Sequence, residues 1–191
     1  MKITDYKIIL ASNSPRRKEL LSGIDVAYEV RILADVDETY PENIPQRSVP
    51  EYLAKKKAAA SFNGLQPDEL LITADTIVLL DDEVLGKPGD VAEIRRMLRR
   101  LSGNTHLVIT GVCLTSCEKQ VSFSDSTRVT FAELSDEEID YYAANYNSTD
   151  KAGAYGVQEW IGYIGVEHLE GSYFNVMGLP IRRVYEEIRR F

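Results

Sequence analysis

The chain has 191 residues, of which 44% are hydrophobic and 27% charged, enough for one globular domain or a domain with an added lobe. Acidic residues outnumber basic ones by 30 to 22, for a formal net charge of −8, so nucleic acid and anionic membranes are not expected as main partners. No membrane-spanning run and no signal-peptide pattern occur, which predicts a cytoplasmic protein.

The first half of the chain predicts alternating strands and helices. Residues 7–12 predict a buried strand, which leads into a helix over residues 15–21. Ser14 is suited to be its N-cap, Pro15 to its first position, and Gly23 to its end. The further elements predicted here are an extended segment at 27–33, a helix at 50–63, and two strands within 70–90 that meet at an Asp81–Asp82 turn.

The second half continues the alternation. Asp90 and Glu93 predict a capping box for a helix that ends at Gly103, and Ser135 with Glu138 predicts another. The remaining predicted elements are strands at 106–116 and 120–134, a glycine-rich region at 153–178, and a carboxyl-terminal helix after residue 180. Interleaved helices and strands favour an α/β fold, and the hairpin-like segments favour a mixed twisted sheet with flanking helices.

Arg16 and Arg17 stand in the first turn of the helix at 15–21, where the helix dipole disfavours cations. The free amide groups of a helix start attract anions, and guanidinium groups bind phosphate with paired hydrogen bonds. A phosphate chain bound at this helix start would explain both arginines. The alternative is that both side chains turn into solvent or pair with acidic residues.

Two acidic residues are candidates for chemistry. Asp75 interrupts an apolar strand, and a buried carboxylate without a partner is costly, so it should face a cleft, a cation or a metal. The alternative for Asp75 is a strand-end residue that caps a turn. Glu38 lies in an acidic stretch and could bind Mg²⁺, which prefers carboxylate oxygens, although such stretches are usually only solvated.

Two lysines are candidates for binding an anionic ligand. Lys57 lies four residues beyond Leu53 on the predicted helix and can point inward, whereas Lys55 points nearly opposite and should be solvated. Lys87 precedes a proline that favours extended backbone, and either points at the same site or belongs to a plain loop.

The segment DKAGAYGVQ, residues 150–158, combines Lys151 and Gln158 with two glycines. Glycines let a backbone approach a ligand closely, and a glutamine amide can read a base edge with both a donor and an acceptor. A plain turn is the alternative. Walker and dinucleotide-binding glycine motifs are both missing from the sequence, so any phosphate site must be of another kind.

Six segments together resemble the Maf family of nucleoside triphosphate pyrophosphatases in their order and spacing. They are LASNSPRRKELL, LAKKKA, ADTIVLLDDEVLGKP, LSGNTH, DKAGAYGVQ and GSYFNVMGLP, which span about residues 8–181. The resemblance implies a single domain over residues 1–191, with two lobes around a deep cleft, related to the inosine-triphosphate pyrophosphatase group. The chain departs from the family pattern at Asn13, where many members have glycine or a similar small residue, and at Glu159 and Trp160, which are bulkier than the glycine-rich continuation common in relatives.

The resemblance also implies roles for individual residues. Asp75 matches the catalytic acid that accepts a proton, and Glu38 matches an acid of the metal site. Asp75, with Glu38 nearby, would either hold Mg²⁺ or Mn²⁺ or orient and deprotonate the attacking water; the sequence leaves both roles open. Arg16, Thr76 and Gln158 match positions linked to substrate choice. The positions that match polar residues around the phosphates are Ser12, Arg16, Arg17, Lys57 and Lys87.

The implied activity is hydrolysis of a nucleoside triphosphate to the monophosphate and pyrophosphate. DKAGAYGVQ is similar to the branch of the family that acts on dTTP and UTP, and modified pyrimidine nucleotides are further candidate substrates. A homodimer is a family expectation. The alternative function is regulation of septum formation by binding, without catalysis; such a role would not need Asp75, whereas an enzyme would.

Overall fold

The computed structural model describes residues 3–32 and 36–191 and shows a mixed α/β fold. The strands are β1 (Lys7–Leu10), β2 (Tyr28–Val30), β3 (Glu69–Leu80), β4 (Glu83–Leu85), β5 (Thr105–Thr115), β6 (Gln120–Phe131) and β7 (Val166–Glu170). The helices are α1 (Pro15–Ser22), α2 (Val49–Ser61), α3 (Val91–Leu101), α4 (Asp136–Asn145), α5 (Trp160–Gly165), α6 (Tyr173–Met177) and α7 (Ile181–Ile188). The predicted mixed sheet with flanking helices is confirmed.

The described strands form one sheet in the order β2-β1-β3-β5-β6-β7, with β4 paired to β3. Strand β1 runs parallel to both β2 and β3, whereas β4 pairs antiparallel with β3 and β7 antiparallel with β6. The hairpin between β3 and β4 turns at Asp81 and Asp82, both with positive φ, as the sequence predicts. Strand β3 is buried along almost all of its length, because it is a central strand with both faces covered.

The chain divides into two compact units. The first comprises Met1–Asp75, Thr110–Asp125 and Gly178–Phe191, and the second comprises Thr76–Ile109 and Ser126–Met177, so β3, β5 and β6 contribute to both. In the first unit, apolar side chains of β1, α2, β3 and β5 pack into one cluster. In the second, the apolar face of α3 (Ile94, Leu98 and Leu101) is buried. The deep cleft expected from the resemblance stays a prediction.

Most predicted helix boundaries are confirmed, with differences at the caps. The capping box of Ser135 and Glu138 is complete. Asp90 accepts the Glu93 amide as predicted, but the Glu93 carboxylate accepts from the amide of Gly89 instead of that of Asp90. Ser14 makes no side-chain cap bond, so α1 begins with Pro15 but without the predicted N-cap contact.

The differences elsewhere concern short elements. The predicted extended segment at 27–33 contains only β2, and its residue 33 lies outside the described residues. Between residues 153 and 178 the chain forms α5, β7 and α6, which the sequence does not separate from a glycine-rich loop. None of the helices in the described part of the chain is both long and apolar enough to span a bilayer.

Candidate active site

The ammonium of Lys57 lies between two carboxylates in the first unit. Its Nζ is 2.6 Å from Oδ1 of Asp75 and 2.8 Å from Oε1 of Glu38. The side chains of Lys57 and Asp75 are only 15% and 11% exposed, whereas Glu38 is 46% exposed. Low exposure strengthens the attraction between opposite charges, so this pair is firmly oriented. Three residues that the sequence singles out therefore meet at one place.

Helix α2 explains why Lys57, and not its neighbours, reaches Asp75. Leu53 and Ala54, one turn earlier on the same face, are buried in the core, and this orients Lys57 inward. Lys55 faces the other way, is 49% exposed and pairs with Glu51 of its own helix. The inward orientation of Lys57 and the solvated position of Lys55 are confirmed.

Asp75 stands in the middle of β3, so the alternative of a strand-end cap is wrong. Its strand is fastened to α2 by Thr73, whose hydroxyl donates to the carbonyl of Ala54 at 2.7 Å. Because Lys57 follows Ala54 by less than one turn, this buried bond fixes the separation between the lysine and the carboxylate. The cation that Asp75 was expected to face is the Lys57 ammonium.

The acidic stretch around Glu38 is held to the same helix by a second lysine. Lys56 Nζ donates to Asp37 Oδ2 at 3.0 Å and to the carbonyl of Thr39 at 2.9 Å. The Thr39 hydroxyl and amide, together with Lys56, lower the pKa of Asp37 to about 2. The lysine run of α2 thus holds residues 37–39 beside Asp75, a role for Lys56 that sequence analysis missed.

Arg17 is fixed by two backbone carbonyls. Its Nε donates to the carbonyl of Gly178 and its Nη1 to that of Ala74, both at 2.8 Å. Burial lowers the pKa of its guanidinium, while the Asp75 carboxylate acts in the opposite direction. Arg17 thus connects α1 to the backbone beside Asp75, through contacts that sequence analysis did not foresee. Its role as a phosphate ligand stays a prediction.

Arg16 and Ser12 lie near the start of the same helix. Arg16 is half-buried in the first turn of α1, and the hydroxyl of Ser12 accepts the amide of Ser14 at 3.2 Å. The Ser12 bond lies in the turn between β1 and α1. Phosphate binding by Ser12 and Arg16 stays a prediction.

The three other predicted site residues belong to the second unit. Thr76 follows Asp75 directly and is half-buried, whereas Lys87 is exposed beside Pro88. Gln158 has a buried side-chain oxygen, Oε1, without a hydrogen-bond partner among the described residues. A buried acceptor without a donor is costly, so this atom is suited to accept a hydrogen bond from a ligand.

A hydrogen-bonded group around Glu159 is a further feature of the second unit. Lys151 Nζ is 3.0 Å from Glu159 Oε1, and the Tyr142 hydroxyl donates to Glu159 Oε2. Sequence analysis named Lys151 but missed Tyr142, which is on α4. The only signal for Glu159 was its departure from the glycine-rich family pattern.

The donor atoms of Asp75 and Glu38 fit a divalent cation. Among residues 3–32 and 36–191, no group of three or more His, Cys, Asp or Glu side chains is arranged to hold an ion. Mg²⁺, however, is usually bound by one or two carboxylates and completed by water and substrate phosphates. Asp75 and Glu38, which both contact the Lys57 ammonium, are the two carboxylates that a partial site of this kind would use.

Comparison with known proteins agrees with these features. The family described as "Maf-like protein" matches residues 7–191. The chain belongs to the Maf family. A relative from Phocaeicola vulgatus, named dTTP/UTP pyrophosphatase, is 62% identical, with 97% of this chain and 96% of the relative covered. A relative of the same name from Bacteroides thetaiotaomicron is 58% identical over the same shares of the two chains.

A solved structure shares the fold of this Maf protein. The HAM1 protein from Coxiella burnetii superposes with a TM-score of 0.52 over 97% of this chain and 100% of that chain, at 15% identity. At this identity the likeness concerns the fold.

Proposed function

We propose that this Maf protein hydrolyses dTTP and UTP to the nucleoside monophosphate and pyrophosphate. The observation that carries the proposal is the 62% identity, over nearly the whole length of both chains, to a relative named dTTP/UTP pyrophosphatase. The paired Lys57 and Asp75 in the first unit supply a cation for an anionic substrate and a carboxylate for an attacking water.

The chemical step proposed for Asp75 is proton transfer. A water oxygen attacks the α-phosphorus, the bond from that phosphorus to the bridging oxygen breaks, and its electron pair leaves with pyrophosphate. The Asp75 carboxylate takes the proton of the attacking water. Lys57 holds the Asp75 carboxylate in place through the contact of its ammonium with Oδ1 at 2.6 Å.

The cationic residues are proposed to bind the triphosphate. Arg16, Lys57 and Lys87 would neutralise phosphate oxygens, and negative charge developing on the leaving pyrophosphate would strengthen these contacts in the transition state. Ser12 would donate its hydroxyl to a phosphate oxygen. Arg17 already donates to two carbonyls, so its phosphate contact would use other donors of its five-donor guanidinium.

Glu38 and Asp75 are proposed to hold Mg²⁺ or Mn²⁺ together with substrate phosphates. When bound, the cation would polarise phosphate oxygens and favour ionisation of a nearby water. Removal of divalent cations with EDTA should then abolish activity, and Mg²⁺ or Mn²⁺ should restore it.

Gln158 is proposed to choose the base, together with Thr76 and Arg16. Uracil and thymine both present an N3–H donor, and the buried Oε1 of Gln158 is an acceptor suited to it. Cytosine presents an acceptor at N3, so it would leave Oε1 without that bond. A site built to pair one polar group rejects analogues that lack it.

The proposal is tested by measuring product release from a panel of canonical and modified nucleoside triphosphates, with Mg²⁺, Mn²⁺ or EDTA. Metal-dependent release of pyrophosphate and monophosphate, fastest with dTTP and UTP, would support it. Release of single phosphates, or no turnover by folded protein, would contradict it. Light scattering of the same preparation tests the homodimer that the family resemblance implies.

A further inference from the structure

The carboxylate of Glu159 is engaged on both oxygens. Oε1 pairs with the Lys151 ammonium at 3.0 Å, and Oε2 accepts the hydroxyl proton of Tyr142, which is fully buried on α4. The Lys151 side chain is only 7% exposed and also contacts Asp150 Oδ1 at 3.2 Å. A cation with so little solvent needs these acceptors, so the contacts of Lys151 and Tyr142 fix the Glu159 carboxylate in position.

The hydroxyl of Tyr142 connects the Glu159 carboxylate to the backbone of the loop. While its proton goes to Glu159, its oxygen accepts the amide of Gly156 at 3.1 Å. The amide of Glu159 in turn donates to the carbonyl of Gly156 at 3.0 Å, which closes the turn 156–159. A Cβ at position 156 would lie 2.8 Å from the Glu159 carboxyl carbon, so the backbone and the carboxylate are in close contact.

The loop formed by residues 153–159 is also fixed at its start, at Gly153. The amide of Gly153 donates to the carbonyl of Gly86 at 3.1 Å, and Gly153 has a positive φ of 69°. A Cβ at Gly153 would lie 2.8 Å from a methyl carbon of Val78, so only glycine fits there. Between these two fixed points, Gln158 carries the buried Oε1 that has no donor among the described residues.

We propose that Glu159, acting with Tyr142, is a positioning residue that orients Gln158 to accept the N3–H of a uracil or thymine base. This inference rests on the proposed function. Glu159 and Tyr142 improve base selection without contacting the reacting phosphates, because every contact described for these two residues lies within the loop and α4. Its loss should therefore raise the KM for UTP and leave kcat nearly unchanged.

The first test is Tyr142→Phe, which removes one hydroxyl and so breaks both the Glu159 and the Gly156 bonds. The ratio of kcat/KM for UTP to that for CTP should fall about tenfold, mainly through the KM for UTP. Tyr146→Phe is the matched control, because Tyr146 stacks on Tyr142 with ring centroids 4.8 Å apart but has no part in the carboxylate contacts. It should keep the wild-type ratio.

Two further variants separate positioning from loss of folding. Glu159→Gln retains an acceptor for the Tyr142 hydroxyl and should keep more of the UTP preference than Glu159→Ala. In a Gln158→Ala background, Tyr142→Phe should change the UTP/CTP ratio by less than twofold, because the residue being oriented is gone.

An unchanged UTP/CTP ratio in Tyr142→Phe would overturn the inference, as would an equal effect with and without Gln158. Both results presuppose a wild-type enzyme that prefers UTP to CTP. A wild-type protein that released no pyrophosphate from UTP would instead overturn the proposed function, and with it the assignment to base selection. The two failures are thus distinguished by the wild-type measurement.

Discussion

Lys57 is the residue on which the electrostatics of the candidate site depend. It is one ammonium between a buried carboxylate and a half-exposed one, and its own side chain is mostly buried. Without it, Asp75 and Glu38 would lose the ammonium that both contact, although the Arg17 guanidinium also interacts electrostatically with both carboxylates. Under the proposed function, binding a triphosphate beside two carboxylates would also require cations, and Lys57 would supply one of them.

Lys57→Ala should lower kcat/KM for UTP by at least about 100-fold, because the proposed mechanism would lose a charge that stabilises the leaving pyrophosphate and Asp75 would lose its ion-pair partner. Lys55→Ala is the matched control on the same helix, since Lys55 is exposed and pairs with Glu51 of that helix. It should stay within about twofold of wild type. Steady-state kinetics of both variants, with circular dichroism to check folding, decide the point; equal effects would contradict the assignment.

Arg17→Lys separates the shape of the guanidinium from its charge. Lysine keeps the charge but cannot donate in the fork geometry to the carbonyls of both Ala74 and Gly178. The free energy of unfolding should fall by about 1–3 kcal/mol, as measured by urea denaturation. Arg182→Lys, at a side chain that is 88% exposed, should change it by less than about 0.5 kcal/mol. No difference between the variants would show that the carbonyl contacts carry no stability.

Single residues were predictable from sequence where a local pattern decides their orientation. The helix period of α2 separated Lys57 from Lys55, and the charge within an apolar strand marked Asp75. The contacts of Arg17 were not predictable, since its acceptors lie 57 and 161 residues away. The role of Glu159 was not predictable for a similar reason, because its contact with Tyr142 depends on how α4 packs against the loop.

At the scale of elements, the packing of α2 against the sheet determines where Lys57 lies. The first turn of α2 crosses β5 at Gly111, where a Cβ would lie 2.2 Å from the carbonyl carbon of Pro50. Only a glycine permits this approach. The close packing, together with the Thr73 bond to Ala54, sets the depth of the helix and so the distance from Lys57 to Asp75.

Gly111→Ala should therefore displace α2 and damage activity through a residue far from the chemistry. We expect kcat/KM to fall by about 10- to 100-fold and stability by about 1–3 kcal/mol. Gly64→Ala is the control, because nothing lies within 4 Å of a Cβ placed there. Kinetics and thermal denaturation of the two variants give the comparison. Wild-type activity in Gly111→Ala would contradict this seating of the helix.

The elements that sequence analysis predicted are those with strong periodicity or clear caps, such as α3, α4 and the hairpin of β3 and β4. The short elements between residues 153 and 178 were missed because their stability comes from tertiary contacts. Strand β7 exists through its antiparallel pairing with β6, and α5 and α6 are only six and five residues long. Helices of that length have little intrinsic stability.

At the scale of the whole molecule, the buried imidazole of His106 links folding to pH. It bonds the Tyr155 hydroxyl through Nε2 at 2.7 Å and packs against Phe131. Burial lowers its pKa from 6.5 to about 4. The unfolded chain therefore binds a proton near pH 6.5 that the folded protein binds only near pH 4, so stability is lost as pH falls through this window.

The loss should reach about 3 kcal/mol between pH 6.5 and 4. His106→Gln should flatten this part of the stability curve, whereas His168→Gln, at an exposed position on β7, should leave it unchanged. Urea denaturation at a series of pH values measures the slope. A wild-type slope in His106→Gln would show that other groups cause the acid sensitivity.

The fold class and the family were accessible from sequence because strand and helix patterns alternate along the chain and six motifs keep their family order. The strand order was not, since it depends on pairings between distant segments, such as β1 beside both β2 and β3. The division of β3, β5 and β6 between two units was equally hidden, because each strand is continuous in its hydrophobic pattern.

The measurement that tests the central claim most directly is pyrophosphate release from UTP by wild-type protein and Asp75→Asn. The amide has nearly the same shape as the carboxylate but cannot accept the proton of the attacking water. We predict that the variant folds as wild type and loses at least about 100-fold in kcat. Asp140→Asn, at an exposed ion pair on α4, should remain fully active. An Asp75→Asn protein with wild-type turnover would contradict the account.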